Sequence, residues 1–402
     1  MINTPIRRLL SALIVCVVTL CGTPTESLAQ FGMGGMGGGG MNIDPISKRG
    51  VRSYAKLLGM DETQLDSALT LLEGNQQQFR GMMQSLREEM QNGGFMSDPE
   101  GMRAKMRDMQ TKVEESERQF FDDLKLLLTP EQSEQWPKLE RYRRREKFLR
   151  FGMVSGAGVD VAQIIERTNA TEGAQPELTD ALERYELEMD RLLVDFESTA
   201  RRMQEDAMSG NSMFDPQKIQ DMLNGITEPS KKIRDANKDA FRKVAPLLAD
   251  DKRKAFTDEF NRRSFPSVYR AQAASKLFDA ALKLDDLEGP QKDSINELKA
   301  AYERDFADAN EKLAAATETA ENERGGMMGV MMGGFSGQPQ DPALKEARDA
   351  RKQLDSETRD KVMAILTESQ RAKLPVIKAE RENPWGAMQE MMKEMQDESE
   401  EK

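Results

Sequence analysis

The sequence predicts an all-α protein of three tandem long antiparallel helical hairpins, each followed by a short capped helix, with Gly/Met-rich flexible loops. Three observations lead to this prediction. Apolar residues recur every seven positions over long segments, as in helices that pack side by side. The same order of segment and loop occurs three times within the 402 residues. Helix-capping signals stand where several of the segments start and end.

Residues 1–29 have the features of a secretory signal peptide. A basic start is followed by the apolar stretch Leu9–Leu20, and small residues precede a cleavage point after Ala29. A lipoprotein signal ending at Cys21 is the less favoured alternative, because the bulky Leu20 stands where such a signal has a small residue. We therefore expect an exported protein, located in the periplasm or outside the cell.

Composition narrows the possible functions. The chain has no histidine, and both cysteines lie within the signal segment, so the mature protein lacks the side chains of most zinc sites and nucleophile–base pairs. We expect no enzyme activity and no cofactor. The net charge of −12 argues against general nucleic-acid binding, and no segment after the signal is apolar enough to span a membrane. The sequence leaves the oligomeric state open.

Heptad spacing predicts the first long helix of each hairpin. Side chains seven residues apart lie on one face of a helix and can pack against a partner helix. The seam residues are Leu65, Leu72, Phe79 and Leu86 in the first copy, Leu178, Tyr185, Leu192 and Thr199 in the second, and Ile295, Tyr302, Ala309 and Ala316 in the third. A second amphipathic segment follows each of them, so each pair can bury its apolar stripes as a hairpin.

The loops between the paired segments set the repeat boundaries. Each loop is rich in Gly, Asn or Ser, contains a Phe, and ends on Asp-Pro, at Asp98, Asp215 and Asp341. Asp before Pro is a helix-start signal, with Asp as the N-cap and Pro at the first helical position. The predicted segments are a Gly/Met-rich linker at 30–47, helical repeats at 48–150, 151–268 and 269–384, and a Met-rich acidic tail at 385–402.

A capping box follows the second long helix in two copies. In "LLLTPEQ", Thr129 can cap a new helix and Gln132 falls at its third position, where the two residues satisfy each other's backbone groups. Thr367 and Gln370 repeat this pattern in the third copy, whereas Ala249 and Lys252 stand at these places in the second. We assign a structural role as caps to Thr129, Gln132, Thr367 and Gln370.

The front of the first long helix also carries a box in the first copy, where Asp61 is the expected cap and Gln64 stands three residues later. In the other copies, Thr171 and Asp285 are the nearest candidates for the same role, although neighbouring Gly and Pro residues blur the pattern. Each hairpin is therefore expected to begin near a capped turn and to end at a sharp bend.

A hairpin with such boxes resembles the LTxxQ-motif (Spy/CpxP-like) family of periplasmic chaperone and stress proteins. The matching residues are Leu128–Gln132 and Leu366–Gln370, and Met60–Gln64 is a looser match. The resemblance covers the first and third repeats, and the second only by position. It implies an ATP-independent chaperone or envelope-stress accessory protein, whose helical surface holds partly unfolded proteins through apolar and basic residues.

Two groups of residues are candidates for contact with clients or partner proteins. The tail has a helical methionine stripe, and thioethers adapt to irregular apolar partners. A basic cluster stands out on the acidic chain, although a solvated helix face with Glu140 and Glu146 as partners is the plainer interpretation. The candidates are Met388, Met391, Met392, Met395, Arg143, Arg144 and Arg145.

Two alternatives to a chaperone remain open. Three hairpins in tandem could form a structural scaffold of the cell envelope. The segment "GGMMGVMMGGF" could instead bind Cu(I), which prefers soft thioether ligands, or it could be an inert linker. The Cu(I) candidates are Met327, Met328, Met331 and Met332.

Overall fold

The computed structural model describes residues 46–91, 99–208, 216–327, 329–330 and 341–377. The all-α class is confirmed, because these ranges consist of helices joined by turns and contain no strand. None of the helices in them is both long and apolar enough to cross a bilayer. The signal segment and the methionine stripe of the tail lie outside the described ranges.

We keep the names first, second and third repeat for the predicted ranges 48–150, 151–268 and 269–384. The described residues of the first range form five helices. They are α1 (Lys48–Leu58), α2 (Glu62–Gln91), α3 (Pro99–Leu126), α4 (Pro130–Ser133) and α5 (Trp136–Phe148). Ser47 caps α1 by accepting from the Gly50 amide, and α1 ends on Gly59, whose φ of 64° suits a residue without a Cβ. The chain can therefore turn sharply from α1 into α2.

The second and third repeats have a related order of a short helix, two long helices and one or more short ones. The second consists of α6 (Val161–Arg167), α7 (Glu177–Met208), α8 (Pro216–Val244), α9 (Asp250–Ser264) and α10 (Pro266–Tyr269), with 3-10 turns at Leu149–Phe151 and Ala245–Leu247. The third consists of α11 (Ala273–Ala281), α12 (Gly289–Arg324), α13 (Pro342–Ile365) and α14 (Glu368–Lys373). Pro229 is accommodated inside α8.

Polar contacts within each long pair show that its two helices run antiparallel. Asn75 of α2 donates to the Ser116 hydroxyl of α3 over 2.8 Å, and Gln64, nearer the start of α2, bonds the Leu127 carbonyl. In the second pair, the Tyr185 hydroxyl donates to Asn237 over 3.0 Å, and the Gln175 amide before α7 donates to the Leu247 carbonyl after α8. In the third, contacts between α12 and α13 run in the same antiparallel order.

Apolar burial, the main force that stabilises a fold, is divided among four clusters in the described residues. One cluster lies inside each repeat, and the fourth joins α10 to α12 and α13 through Val268, Leu313 and Leu344. Helix α5 connects the first two clusters, because Leu139 is buried in the first repeat while Phe148 packs against Phe196 of α7.

The structure corrects the expected starts of two long helices. Helix α7 begins at Glu177 rather than near Thr171, because residues 168–176 turn through left-handed positions at Asn169 and Gly173. Helix α12 is capped by Glu288 rather than Asp285, and Gln291 completes the box. The preceding leucines, Leu284 and Leu287, pack against the third core and keep the chain out of the helix until that point.

The segment after α12 is also corrected in its described part. It was expected to be a flexible loop, yet Gly326 is buried and the Met327 amide donates to the Met153 carbonyl over 2.8 Å. Gly326 has a φ of 84°, and a Cβ there would lie 2.6 Å from the same carbonyl oxygen. Only glycine fits this close approach. The rest of this loop, at 331–340, and the loops at 92–98 and 209–215 lie outside the described ranges.

Candidate functional site

The closed end of the first hairpin is built from two capping boxes. The Gln64 backbone amide donates to the Asp61 carboxylate over 2.8 Å, and the Asp61 backbone amide donates to the Gln64 side-chain oxygen over 2.9 Å. At the other boundary, the Thr129 amide donates to the Gln132 side chain over 3.0 Å, and the Gln132 amide donates to the Thr129 hydroxyl over 3.3 Å. The predicted caps Thr129 and Gln132 are therefore formed.

The two glutamines of these boxes also bond each other. Gln64 Nε2 donates to Gln132 Oε1 over 2.8 Å, and Gln132 Nε2 donates to Gln64 Oε1 over 2.9 Å. The second hydrogen of each amide goes to a backbone carbonyl, from Gln64 to Leu127 and from Gln132 to Gly59. All four amide hydrogens are thus used, and they fasten the end of α3 to the start of α2. We call this arrangement the glutamine clamp.

The third hairpin has the same glutamine clamp, made by Gln291 and Gln370. Their amides exchange hydrogen bonds of 3.1 and 3.0 Å, and each also donates over 2.8 Å to a backbone carbonyl. The predicted box of Thr367 and Gln370 is formed, with bonds of 2.9 and 3.3 Å. The sequence indicated the box of Thr367 and Gln370 but not that of Glu288 and Gln291, and the pairing of the two glutamines is visible only in the structure.

The second hairpin closes without a glutamine clamp. Lys252, which stands where the other copies have glutamine, forms an ion pair of 3.1 Å with the exposed Glu172. The Gln175 amide donates to the Leu247 carbonyl, and Arg253 donates to carbonyl groups at the end of the second long helix. Backbone and guanidinium contacts thus replace the amide pair.

The arginine cluster lies at the contact between the first and second repeats. Arg143 forms a 2.6 Å ion pair with Glu117 and lies over the Phe121 ring. Burial alone would raise the pKa of Glu117, but the neighbouring Lys147 and Arg143 outweigh it and lower that pKa. This part of the cluster is internal to the first repeat.

Arg144 and Arg145 form ion pairs with residues of the second repeat. Arg144 pairs with Asp190 and lies 3.7 Å from Glu197, both on α7. Arg145, only 3% exposed, pairs with Asp160 and Glu186 over 3.0 Å each. Burial disfavours its charge, but these two carboxylates outweigh that effect and raise the pKa of Arg145. Its Nη1 has no hydrogen-bond partner within the described part of the chain.

These contacts bear on the predicted role of the arginines in client binding. A client could engage Arg144 only by competing with its carboxylate partners on α7. Arg145 would first have to be exposed. The expected partners Glu140 and Glu146 are also not the ones used: Glu146 accepts from the Tyr54 hydroxyl over 2.6 Å and Glu140 from the Trp136 indole over 3.0 Å.

The methionine candidates are mostly outside the described residues. Met327 is described and 41% exposed, whereas Met328, Met331 and Met332 are not described. The tail candidates Met388, Met391, Met392 and Met395 are not described either. In the described ranges, His, Cys, Asp and Glu form no group of three or more that could hold a metal ion.

A polar site that was not predicted from the sequence lies at residues 152–159, which we call the connector. It leads from α5 and the following 3-10 turn towards α6, and several of its residues are buried. Ser155 donates both its amide and its hydroxyl to Glu321 near the end of α12. The only signal in the sequence is a run of small residues, "GMVSGAGV", directly after the basic cluster.

Comparisons of the chain with known proteins give no match: no family model, no curated protein and no solved structure matches it.

Proposed function

We propose that this chain is an exported helical binding protein that acts as an ATP-independent chaperone or envelope-stress accessory protein. The glutamine clamp is the observation that carries the proposal. In the first and third hairpins, the Thr and Gln residues on which the LTxxQ resemblance depends form the same paired boxes. Such an end fixes two long helices side by side and leaves their outer faces available for partners.

Helix α7 offers the best described surface for an unfolded client. Leu187 is 51% exposed and Val194 is 45% exposed, and their seven-residue spacing places them on one helix face. The exposed Arg191 lies between them along the same face and pairs with Glu188. An unfolded chain presents apolar side chains together with polar backbone groups, so a narrow apolar and basic stripe suits weak contact with many sequences.

An aggregation assay tests this proposal. Residues 30–402 should suppress light scattering by a denatured client enzyme at near-equal molar ratio and without ATP. Replacing Leu187 and Val194 together by Ser should weaken the suppression, because it removes apolar contact area without touching the core. The matched control is Glu183→Gln with Ser198→Ala on the same helix, which should have no effect. Absence of suppression over a range of clients would reject the chaperone.

A structural scaffold is the second candidate. The observation that favours it is the use of Arg144 and Arg145 inside the chain, where they join the first repeat to the second. A scaffold needs fixed geometry between its repeats more than it needs an adaptable surface. Its signature would be one partner recovered at fixed stoichiometry by pull-down from the envelope, with no activity in the aggregation assay.

Binding of Cu(I) is the third candidate, with Met327, Met328, Met331 and Met332 as ligands. Thioether sulfur is a soft ligand that suits Cu(I). Calorimetry with Cu(I) under reducing conditions tests it. Binding that weakens when all four methionines are replaced by leucine supports the site, and absent or millimolar binding rejects it.

A further inference from the structure

The connector lies where the second and third repeats meet, and it follows the last helix of the first repeat in the chain. Its Met153 amide donates to the Ser230 hydroxyl of α8 over 3.1 Å, and Asn237 of α8 donates to the Gly156 carbonyl over 2.9 Å. From the third repeat, the Met327 amide donates to the Met153 carbonyl. A buried loop needs such partners for its backbone groups. The end of α12 is therefore docked on the connector mainly through polar contacts.

Glu321 is the central group of this docking site. It is 2% exposed, and its carboxylate accepts from the Ser155 amide over 2.8 Å and from the Ser155 hydroxyl over 2.7 Å. Within the described residues it forms no ion pair. The nearby Arg234 instead bonds Asp235 and Asn322, each in a contact of about 3 Å, and pairs with Glu318 over 3.7 Å. The charge of Glu318 adds to the effect of burial on the pKa of Glu321. An ionised carboxylate in this setting carries a buried charge without a paired cation, which is unfavourable.

The other charged groups around this site are already engaged. From α8, Lys238 bonds Glu318 over 2.9 Å and Lys231 bonds Glu228 over 2.7 Å. From α9, Arg262 and Arg263 both pair with Glu259, and the connector itself carries no charged side chain. Burial therefore raises the pKa of Glu321, and the bonds from Ser155 and the charge of Arg234 offset this only in part.

We propose that Glu321 and the connector form a proton-operated latch, which holds the end of α12 on the second repeat more firmly when the carboxyl group is neutral. A neutral carboxyl fits the same site, since the Ser155 amide can still donate to one oxygen while the protonated oxygen donates to the rotatable Ser155 hydroxyl. The docked state binds the proton more tightly than the undocked state. Docking therefore strengthens as the pH falls through the folded pKa and is weakest above it.

The latch would couple acidity to the Gly/Met-rich segment that follows α12. Thr227 of α8 donates to the Gly325 carbonyl, and Met327 is held by Met153, so this segment starts at the docked end of the helix. Release of the end of α12 would also break the bonds that hold Gly325 and Met327, the first residues of this segment. The latch does not depend on whether the Gly/Met-rich segment binds Cu(I) or is an inert linker.

Hydrogen exchange of residues 152–159 tests the latch, because the Ser155 amide is protected only while it donates to Glu321. The variants are Glu321→Gln, a permanently neutral mimic, and Ser155→Ala, which keeps the carboxyl but removes one donor. Glu297→Gln, at an exposed position of the same helix, is the control. All chains are compared at the same pH, from 5 to 8, so that intrinsic exchange rates cancel.

At pH 8, Glu321→Gln should exchange more slowly than the unmodified chain, and the difference should shrink as the pH falls. The rate ratio should reach about tenfold for each unit by which the docked pKa exceeds the undocked one. Ser155→Ala should exchange faster at pH 8 and show a steeper dependence on pH, which keeps the test valid if Glu321→Gln fails to fold. Exchange in Glu321→Gln or Ser155→Ala with the same pH dependence as in the control would overturn the proposal.

Discussion

At the scale of single residues, the glutamine clamp explains why glutamine stands at the fourth position of each box. The side-chain oxygen of Gln132 accepts from the Thr129 backbone amide and from Gln64. Its side-chain nitrogen donates to Gln64 and to the Gly59 carbonyl. A glutamate in the same place could accept but could not donate. The clamp thus depends on the two-sided chemistry of the amide, and a threonine–glutamate box would cap the helix without closing the hairpin.

Replacement of Gln132 by Ala should destabilise the first hairpin by about 1–3 kcal/mol. The substitution removes the partly buried bonds with Gln64 and leaves one amide hydrogen of that side chain unpaired, which costs roughly this much. It also breaks the exposed bonds with Thr129 and Gly59. Urea unfolding followed by fluorescence of Trp136 measures the loss, in a chain where Trp385 is replaced by Phe. The exposed Glu134→Ala is the control, and equal stability of the two variants would contradict the clamp.

At the scale of elements, helix α5 carries the contact between the first two repeats. Leu139 in its first half is buried in the first-repeat cluster with residues of α2 and α3, and its end packs on α7 through Phe148 and the paired arginines. A buried guanidinium is costly unless its neighbours compensate its charge, so Asp160 and Glu186 fix where α5 can sit on α7. Apolar packing of Phe148 stabilises the contact between α5 and α7, while the ion pairs of Arg145 determine the position of α5 along α7.

A double-mutant cycle on Arg145 and Glu186 should reveal this coupling. Arg145→Met should cost about 3–5 kcal/mol of unfolding free energy, because two partly buried carboxylates lose their cation. The cost of Glu186→Gln should be smaller once Arg145 is absent, giving a coupling above about 0.5 kcal/mol. The exposed pair Arg191 and Glu188 on α7 provides the control cycle, in which coupling should stay below about 0.5 kcal/mol. Additive effects for Arg145 and Glu186 would contradict the assigned role.

At the scale of the whole molecule, the all-α class and the burial of individual helix faces could be predicted from the sequence. Seven-residue spacing placed Leu72, Tyr185 and Ile295 in buried seams, because one helix face determines their burial. The docking of Glu321 on Ser155 joins positions 166 residues apart and leaves no periodic trace. The starts of α7 and α12 were misplaced for a different reason: left-handed turns at Asn169 and Gly173 delay α7, and α12 begins with a box whose cap is Glu288 rather than the usual Ser, Thr, Asp or Asn.

Those long-range contacts predict that the stability of the second repeat depends on the presence of the third. In a chain of residues 30–272, the cluster around Val268 would lose Leu313 and Leu344, and the connector would lose Glu321. In repeat arrays, stability is approximately a sum of repeat and neighbour-interface contributions, so this loss should lower the thermal midpoint of the second repeat. Each kcal/mol lost corresponds to about 2–4 °C at this chain length.

Calorimetry and binding of a dye for exposed apolar surface would measure the effect. The control is a chain of residues 30–377, which retains every described contact of the third repeat and should unfold like the full chain. The shorter chain should unfold earlier and bind more dye, because Phe265 and Val268 lose their cover. Equal midpoints for the second repeat in both chains would mean that the repeats are independent beads, and that the polar docking of α12 contributes nothing to stability.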